Sequence, residues 1–290
     1  MNFVLIVLNY NDWETTVAFL NNTKEFQSIH KIIVVDNCST DVSFEKLSEH
    51  ADEKIDVIQT EKNEGYASGN NFGIRYAKQK YSPEYLIISN PDIVLNEMCL
   101  GGIKAFVEQN REKTGMVSCK MICNSEIRTR YGWKLPKYSD CILENLILLK
   151  RILNLKKTSY PDSHFEKEIC EVDVIPGSFF VISQEAMDDV GMFDEDTFLY
   201  GEENIIAYKL KEKKYKNYIL NRYEYIHNHS VSISKSIQSL GKKLDLAYEG
   251  RCIYLNKYLH IGFFQKILNG ITYKIGKFNY LAFKKIVKGR

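Results

Sequence analysis

The sequence predicts an α/β protein whose sheet is mainly parallel and carries helices on both faces. Two observations support this fold class. In the first hundred residues, short apolar runs rich in β-branched residues alternate with segments of helical periodicity. The apolar runs are also uninterrupted, which is typical of strands that are buried on both faces of a parallel sheet.

Four strands and three helices follow from these patterns in the first hundred residues. The predicted strands are Phe3–Leu8, Lys31–Val35, Ile55–Gln59 and Tyr85–Ser89. The predicted helices between them are Thr15–Lys24, Phe44–His50 and Gly69–Lys80. Because a helix follows each of the first three strands, neighbouring strands can run parallel to one another.

The middle of the chain, about residues 100–234, has a less regular pattern. It predicts a helix over Cys141–Leu155 and a strand over Val172–Ile182 that Pro176-Gly177 interrupts. A polar turn at 191–196 then leads into a helix that begins near Glu202 and ends near Lys213. We therefore divide the chain into residues 1–100, 101–235 and 236–290, with the first two parts expected to share one sheet.

Composition excludes several classes of protein. Of the 290 residues, 44% are hydrophobic and 26% are charged, which rules out a disordered chain, a collagen-like fibre and a polytopic membrane protein. Lys and Arg number 39 against 37 Asp and Glu, so nucleic acid is not an expected partner. The seven cysteines are odd in number and scattered, and residues 1–8 lack a basic n-region. Free thiols and a cytoplasmic location are therefore expected.

The last forty residues form a basic, amphipathic tail. From Gly250 to Arg290 there are nine basic and no acidic residues, and apolar residues recur every three or four positions. These are Phe264, Leu268, Ile271, Ile275, Phe278, Ala282 and Ile286. We expect a helical tail that lies on an anionic bilayer, at the inner surface of the cell membrane. The alternatives are packing on its own domain or on a second copy in a homodimer.

Clusters of Asn and Asp follow three of the four predicted strands. They are Asn9/Asp12, Asp36/Asn37 and Asn90/Asp92. Such residues also make ordinary turns. In parallel sheets, however, ligands bind beyond the carboxyl ends of the strands, so three clusters on one edge predict a polar, acidic rim for a nucleotide.

Glycine motifs that hold phosphates are missing. No G-x-G-x-x-G follows the first strand, and Gly270–Lys277 has the wrong spacing for a P-loop. If the protein binds a nucleotide, a divalent cation held by carboxylates is the expected substitute for a glycine-rich loop.

Six motifs occur in a fixed order over roughly residues 3–235. They are Leu8-Asn9-Tyr10-Asn11, Val34-Val35-Asp36-Asn37-Cys38-Ser39-Thr40-Asp41, Asn63-Glu64-Gly65-Tyr66-Ala67-Ser68-Gly69-Asn70-Asn71-Phe72-Gly73, Ser89-Asn90-Pro91-Asp92, Pro176-Gly177-Ser178-Phe179-Phe180 and the segment from Gly191 to Glu203. Together they resemble glycosyltransferase family 2, especially its rhamnosyltransferase-like branch. The resemblance implies a GT-A fold, in which a Rossmann-like nucleotide-binding half is joined to an acceptor-binding half.

The resemblance also implies a nucleoside diphosphate sugar as donor. Asp36 would contact the base or ribose, and Asp41 would support that loop. Gly65 permits close backbone approach, and Asn70 and Asn71 offer amides at the predicted start of a helix. The residues assigned to the nucleotide sugar are Asn9, Asp36, Asn37, Asp41, Gly65, Asn70, Asn71 and Asn90.

A metal site is implied by Asn90-Pro91-Asp92, which looks like the family's variant of the D-x-D motif. Asp92 would then hold Mg²⁺ or Mn²⁺. Related enzymes often have a His after a later strand, and His229 with Ser232 fits H-x-x-S best, with His227 as the second choice. His229 is therefore assigned to the metal with Asp92.

The base and the acceptor site follow from the later motifs. The family supplies its base from an E-D-x-D segment at a helix start, where this chain has Glu202, Glu203, Asn204 and Ile205. Glu203 is the predicted base and Glu202 the fallback, although acidic residues also favour the first turn of any helix. The residues assigned to the acceptor are Trp133, which could stack on a sugar, Gly177 and Ser178.

The implied function is inverting transfer of a sugar from dTDP-rhamnose or a UDP-sugar to a hydroxyl of a cell-surface polysaccharide precursor. The acceptor would be a glycan or a lipid-linked glycan. One alternative is a degenerate protein that binds nucleotide or glycan without turnover, motivated by Ile205. Another is a sugar-phosphate nucleotidyltransferase, which would need a glycine-rich, basic loop where this chain has Asn9-Tyr10-Asn11-Asp12.

Overall fold

The computed structural model describes residues 1–123, 126–127, 131–155, 158–228 and 239–288. Within them, ten strands form one sheet. The strands are β1 Phe3–Asn9, β2 Lys31–Asp36, β3 Ile55–Gln59, β4 Tyr85–Ser89, β5 Ile93–Val94, β6 Thr114–Cys123, β7 Glu126–Ile127, β8 Ile169–Val172, β9 Phe179–Ser183 and β10 Lys216–His227.

The sheet has the order β3-β2-β1-β4-β9-β6-β10-β5, with β7 paired to β6 and β8 paired to β10. The first four strands are all parallel, as predicted, and β6 runs parallel to β10. β9 enters between β4 and β6 in the antiparallel direction. All five residues from Phe3 to Val7 are buried, so both faces of β1 are covered, and the predicted α/β class is confirmed.

The helices alternate with the strands in the first half and cluster after them in the second. They are α1 Trp13–Thr23, α2 Ser43–Ser48, α3 Tyr66–Tyr81, α4 Glu97–Gln109, α5 Tyr138–Asn145, α6 Ile147–Ile152, α7 Gln184–Asp189, α8 Glu202–Glu212, α9 Leu240–Ile253 and α10 Phe263–Lys288. A 3₁₀ turn lies at Asp162–Glu166, and a π-helical turn at Tyr254–Tyr258 extends α9.

Two predicted elements of the middle section are each divided in the structure. The helix expected over Cys141–Leu155 is broken between α5 and α6, because Leu146 has a non-helical backbone with φ −88° and ψ 61°. Beside the break, the Asn145 amide donates hydrogen bonds to Asn269 and Thr272 of α10. The strand expected over Val172–Ile182 is two strands, of which β8 pairs with β10 while β9 pairs with β4.

The tail packs on the body of the protein through a second, smaller core. It contains Cys141 of α5, Ile205 of α8, Tyr254 and Leu255 of the π-helical turn, and Ile261. α10 then lies across α5, α6 and α9. Packing on its own domain, one of the alternatives for the tail, therefore accounts for one side of α10. No helix in the described ranges is both long enough and apolar enough to cross a bilayer.

A glycine pair within α10 gives a stability test of this packing. A Cβ added at Gly276 would lie 1.8 Å from the carbonyl oxygen of Asn145, whereas one added at Gly270 would meet only the Tyr248 hydroxyl at 3.6 Å. We expect Gly276→Ala to lower the free energy of unfolding by about 2 kcal/mol through overpacking. The matched control, Gly270→Ala, should raise it by up to about 1 kcal/mol through helix propensity. Urea unfolding measures both, and equal effects would contradict the packing.

Candidate active site

The strand-end cluster at β1 and β2 forms a closed hydrogen-bond network. Asn9 pairs with Asp36 in the parallel register, and its amide donates to Asp36 Oδ1 at 2.8 Å. The Asp36 carboxylate also accepts from the backbone N–H and hydroxyl of Ser39 and from the amide of Gln59. With four donors and no exposed surface, Asp36 holds the loop after β2 in place rather than facing solvent.

The next loop is held against this network. Asn37 donates to Asn63 Oδ1 at 3.0 Å and to the carbonyl of Gly65 at 3.1 Å. Gly65 has φ +95°, and a Cβ there would lie 2.1 Å from the carbonyl oxygen of Phe198, so only glycine fits. Asp41 is exposed and accepts from the backbone N–H of Ser43 at the start of α2.

Asn70 and Asn71 lie in the second turn of α3 instead of at its start, because the helix begins at Tyr66. Asn71 is buried, and its amide both donates to the carbonyl and accepts from the N–H of Phe193. It also donates to Glu195. The amide that was expected to meet the nucleotide therefore fastens the 193–195 turn to α3. Asn70 donates to the carbonyl of Tyr66 and is fully buried.

Asp92 lies beside a histidine, but this is His227 and not the predicted His229. Residues 229–238 lie outside the described ranges, so the assignment of His229 to a metal stays a prediction. β5 pairs antiparallel with the end of β10, which brings His227 Nε2 to 3.3 Å from Asp92 Oδ1. Both side chains are buried.

This pair fits the metal that the family resemblance implies. Asp92 Oδ1 is buried and has no hydrogen-bond donor in the described residues, and an imidazole nitrogen adjoins it. A carboxylate oxygen and an imidazole are ordinary ligands of Mn²⁺. The described residues contain no group of three or more His, Cys, Asp or Glu that could hold a metal alone, so a bound diphosphate would have to supply further oxygens.

A continuous chain of contacts connects the Asp92 segment to Glu203. The backbone N–H of Asn90 donates to the carbonyl of Ser178 at 2.9 Å. A Cβ added to the neighbouring Gly177 would lie 3.2 Å from Glu203 Oε1, so the carboxylate rests against the Gly177 backbone. Ser178 is itself fixed by its hydroxyl, 3.0 Å from that of Tyr225. The predicted metal and base residues therefore flank one short segment, 176–178.

Glu202 and Glu203 occupy the first turn of α8. Burial raises the pKa of both carboxyls, and the charge of Glu203 raises the pKa of Glu202 further. Backbone N–H groups, including that of Gly177, lower the pKa of Glu203 in part. Glu202 is 5% exposed and its Oε1 has no hydrogen-bond partner in the described part of the chain, whereas Glu203 is half-buried.

Tyr66 is a site residue that the sequence reasoning missed. Its hydroxyl donates to the carbonyl of Gly177 at 2.8 Å. Burial raises the pKa of this phenol, and the nearby charges of Glu203 and Glu202 raise it further. Tyr66 therefore joins the start of α3 to the 176–178 segment, which contacts Glu203. Its place within the Asn63–Gly73 motif was the only local signal in the sequence.

Trp133 is placed beside α8. Its indole Nε1 donates to Asn204 Oδ1 at 2.9 Å, and the residue after Glu203 is thereby tied to the 131–136 loop. The ring is partly exposed, which leaves the predicted stacking on an acceptor sugar as a prediction.

The tail also supports the start of α8. Tyr200 and Gly201, which precede Glu202, both have positive φ, at 72° and 98°. Gly250 of α9 packs directly on their backbone, since a Cβ there would lie 1.9 Å from the Tyr200 carbonyl oxygen. The unusual backbone that presents the two glutamates is thus held by tail residues.

A test of the Glu202 environment uses the pH dependence of stability. Burial raises the pKa of Glu202 in the folded protein above its usual 4.5. The folded state is therefore fully stable below pH 4.5, where Glu202 is protonated, and loses stability as the pH rises through the folded pKa and the buried carboxyl ionises. Glu202→Gln should therefore raise Tm at pH 8 by about 2–4 °C, and less at pH 5. Glu212→Gln, at the exposed end of the same helix, should show no such difference. A Glu202→Gln effect that is the same at both pH values would contradict this environment.

A polar cavity of about 400 Å³ lies elsewhere, at the amino ends of β1 and β2, where Met1, His30, Glu53 and Lys54 line it. In a parallel sheet this is the edge opposite to the ligand-binding edge. We therefore assign it no role in the site.

The order and direction of the strands agree with a GT-A fold. Two solved structures share the fold, each at 16% identity. GalNAc-T7 with UDP, GalNAc and Mn²⁺ has a TM-score of 0.61 over 79% of this chain, which spans only 44% of that protein. The mannosyltransferase PcManGT from Pyrobaculum calidifontis, with GDP-Man and Mn²⁺, has a TM-score of 0.59 over 94% of this chain and 69% of its own.

The chain belongs to glycosyl transferase family 2, whose model matches residues 4–189. The low-salt glycan biosynthesis hexosyltransferase Agl10 of Haloferax volcanii is 23% identical over 241 residues, which are 83% of this chain and 72% of that protein. The rhamnosyltransferase WbbL of Escherichia coli K12 is 24% identical over 212 residues, which are 71% of this chain and 75% of that protein. The family and the rhamnosyltransferase-like resemblance are thereby confirmed.

Proposed function

We propose that this glycosyltransferase moves a sugar from a nucleoside diphosphate sugar, dTDP-rhamnose or a UDP-sugar, to a hydroxyl of a cell-surface polysaccharide precursor, with inversion. One observation carries the proposal. The 176–178 segment contacts Asn90 on one side and Glu203 on the other. The proposed metal ligand Asp92, which follows Asn90 closely, and the proposed base Glu203 would therefore border one site.

The donor side is assigned to residues 1–100 and the acceptor side to 101–235. The strand-end network of Asn9, Asp36 and Asn37 shapes the donor side, and Asn90 and Gly65 border it. Because Asp36 is saturated by protein donors, we assign its role to positioning the 37–41 loop, whose exposed groups would meet the nucleotide. Trp133, Gly177 and Ser178 remain assigned to the acceptor side.

Asp92 and His227 would hold the divalent metal, Mg²⁺ or Mn²⁺. When bound, such an ion neutralises charge that develops on a leaving diphosphate. In this proposal the burial of Asp92 and His227 keeps water from the carboxylate, and the pairing of β5 with β10 sets their relative orientation.

Glu203 is the proposed general base. Its ionised carboxylate takes the proton of the acceptor hydroxyl while that oxygen bonds to the anomeric carbon from the face opposite the diphosphate. The bond between the anomeric carbon and the diphosphate oxygen breaks with both electrons on that oxygen, so the configuration inverts. The raised pKa of Glu203 makes it a stronger base than an exposed glutamate.

A donor panel tests the proposal in two stages. Thermal shifts with UDP, dTDP, GDP and CDP, each with and without Mn²⁺, should give a metal-dependent stabilisation by one diphosphate. The corresponding sugar nucleotides should then release that diphosphate when a glycan acceptor is supplied. No shift with any nucleotide would overturn the proposal.

A non-catalytic binding protein is the second candidate, and the same panel separates it by binding without release. Ile205, which motivated it, is fully buried in the smaller core with Tyr254 and Leu255. Its apolar character therefore has a packing cause that is independent of catalysis, which favours the enzyme. The nucleotidyltransferase alternative has no support from the family.

A further inference from the structure

The two sides of α10 have opposite character. One side is buried against α5, α6 and α9, where the Asn145 amide donates to Asn269 Oδ1 at 2.8 Å and to Thr272 Oγ1 at 3.1 Å. Tyr273 stacks on Tyr248 of α9 with ring centroids 3.8 Å apart. The helix is therefore held to the body along one stripe, so its opposite face has a defined orientation.

The opposite face exposes large apolar side chains along the length of the helix. Phe264 is 83% exposed, Phe278 74% and Phe263 72%. The other exposed apolar residues of this face are Ile267, Leu268, Ile271, Ile275 and Ile286. With 26 residues, α10 is about 39 Å long, so this face is too extensive to be scattered surface residues. We call it the apolar face of α10.

α6 is a neighbour of α10 on its buried side. It packs beside α10, where the Arg151 guanidinium lies 5.6 Å from the Tyr280 ring centroid. Ile152 is 78% exposed and Leu153, directly after the helix, is 54% exposed. These two residues are therefore exposed apolar side chains outside the apolar face of α10.

The charges around the apolar face have one sign. No Asp or Glu occurs between Gly250 and Arg290. Lys274 lies three residues after Ile271 and four before Phe278, at the border of the apolar face. Lys285 lies three residues before the end of α10. Among the described residues, no ion pair involves Lys266, Lys274 or Lys285.

We propose that the apolar face of α10 docks on an anionic lipid bilayer as an in-plane platform. An apolar stripe bordered by unpaired lysines matches the acyl boundary and the acidic headgroups of such a surface. A second copy of the chain matches it less well, since a two-fold contact would bring lysines of both copies together without a carboxylate between them.

The platform adjoins the acceptor side. The Tyr138 hydroxyl donates to the carbonyl of Gln265 in α10, and that of Tyr254 donates to the carbonyl of Pro136. The first contact ties the start of α5 to the tail, and the second ties the loop that carries Trp133 to it. If the proposed function holds, this placement presents the acceptor side to a lipid-linked glycan. Bilayer binding itself does not depend on that step.

Vesicle flotation of the full chain, without donor or acceptor, tests the docking. We expect binding to vesicles of phosphatidylcholine with 30% phosphatidylglycerol (about that fraction mimics an anionic membrane) and weak binding to phosphatidylcholine alone. Phe264→Ser with Phe278→Ser should lower the partition coefficient at least about tenfold, because two exposed rings lose their burial in lipid. The control, Met98→Ser on α4, removes a side chain that is 65% exposed elsewhere and should change nothing.

The charge contribution has its own matched variants. Lys274→Glu with Lys285→Glu should lower binding to the anionic vesicles by about tenfold or more. Lys24→Glu with Lys213→Glu, both exposed on the other parts of the chain, should retain it. Equal loss in both pairs would mean a general charge effect and would overturn the platform. The platform would also be overturned if the parent protein does not bind vesicles but forms a dimer in light scattering, and if Phe264→Ser with Phe278→Ser abolishes that dimer.

Discussion

Glu203→Gln is expected to lower kcat by about a thousandfold while the affinity for the nucleoside diphosphate stays unchanged. The substitution keeps the length of the side chain and its contact with Gly177 but removes the group that accepts the proton. General bases contribute about 10²- to 10⁴-fold to rates. Steady-state kinetics of diphosphate release, with binding measured by calorimetry, separates the chemical step from binding.

The pH profile distinguishes a base from a structural carboxylate. Because burial raises the pKa of Glu203, the activity of the parent should rise with pH across a range above the ordinary glutamate value. The residual activity of Glu203→Gln should lack that rise, and Glu203→Asp should retain it with a lower kcat. Glu212→Gln, on the same helix, serves as the matched control. A Glu203→Gln enzyme with at least a tenth of the parental kcat would transfer the role to Glu202.

The first half of the fold could be predicted because its signals are local. Each of the first four strands is a continuous apolar run, and the structure has them within one residue of the predicted bounds. The position of β9 could not be predicted in this way. Its antiparallel insertion between β4 and β6 depends on pairing with strands about 60 to 100 residues away, which no run of nearby residues encodes.

The site shows the same division between local and distant information. Asp92 and the two glutamates stand out because carboxylates at a strand end and a helix start have a chemical meaning by themselves. His227 was the second choice, since only the register of β10 against β5 brings it to Asp92. The bonds between Asn71 and the backbone of Phe193 could not be predicted, because the two residues are more than a hundred positions apart in the sequence.

Asp92→Asn is expected to abolish the metal dependence of diphosphate binding and to lower kcat/KM at least about a hundredfold. The substitution keeps the shape of a buried side chain whose Oδ1 has no donor, but it removes the negative charge. A metal ion contributes several kcal/mol of charge stabilisation to such reactions. Calorimetric titration of the matching diphosphate, with Mn²⁺ and with EDTA, measures the dependence in parent and variant.

His227→Gln should weaken the same dependence less than Asp92→Asn does, because it removes a neutral ligand and leaves the charge of Asp92 in place. Asp188→Asn is the control, since this carboxylate pairs with Lys78 on the surface. If Asp92→Asn still binds the diphosphate only with Mn²⁺, the ion must be held by other groups. His229 and its neighbours, beyond the described part of β10, would then be the first to substitute.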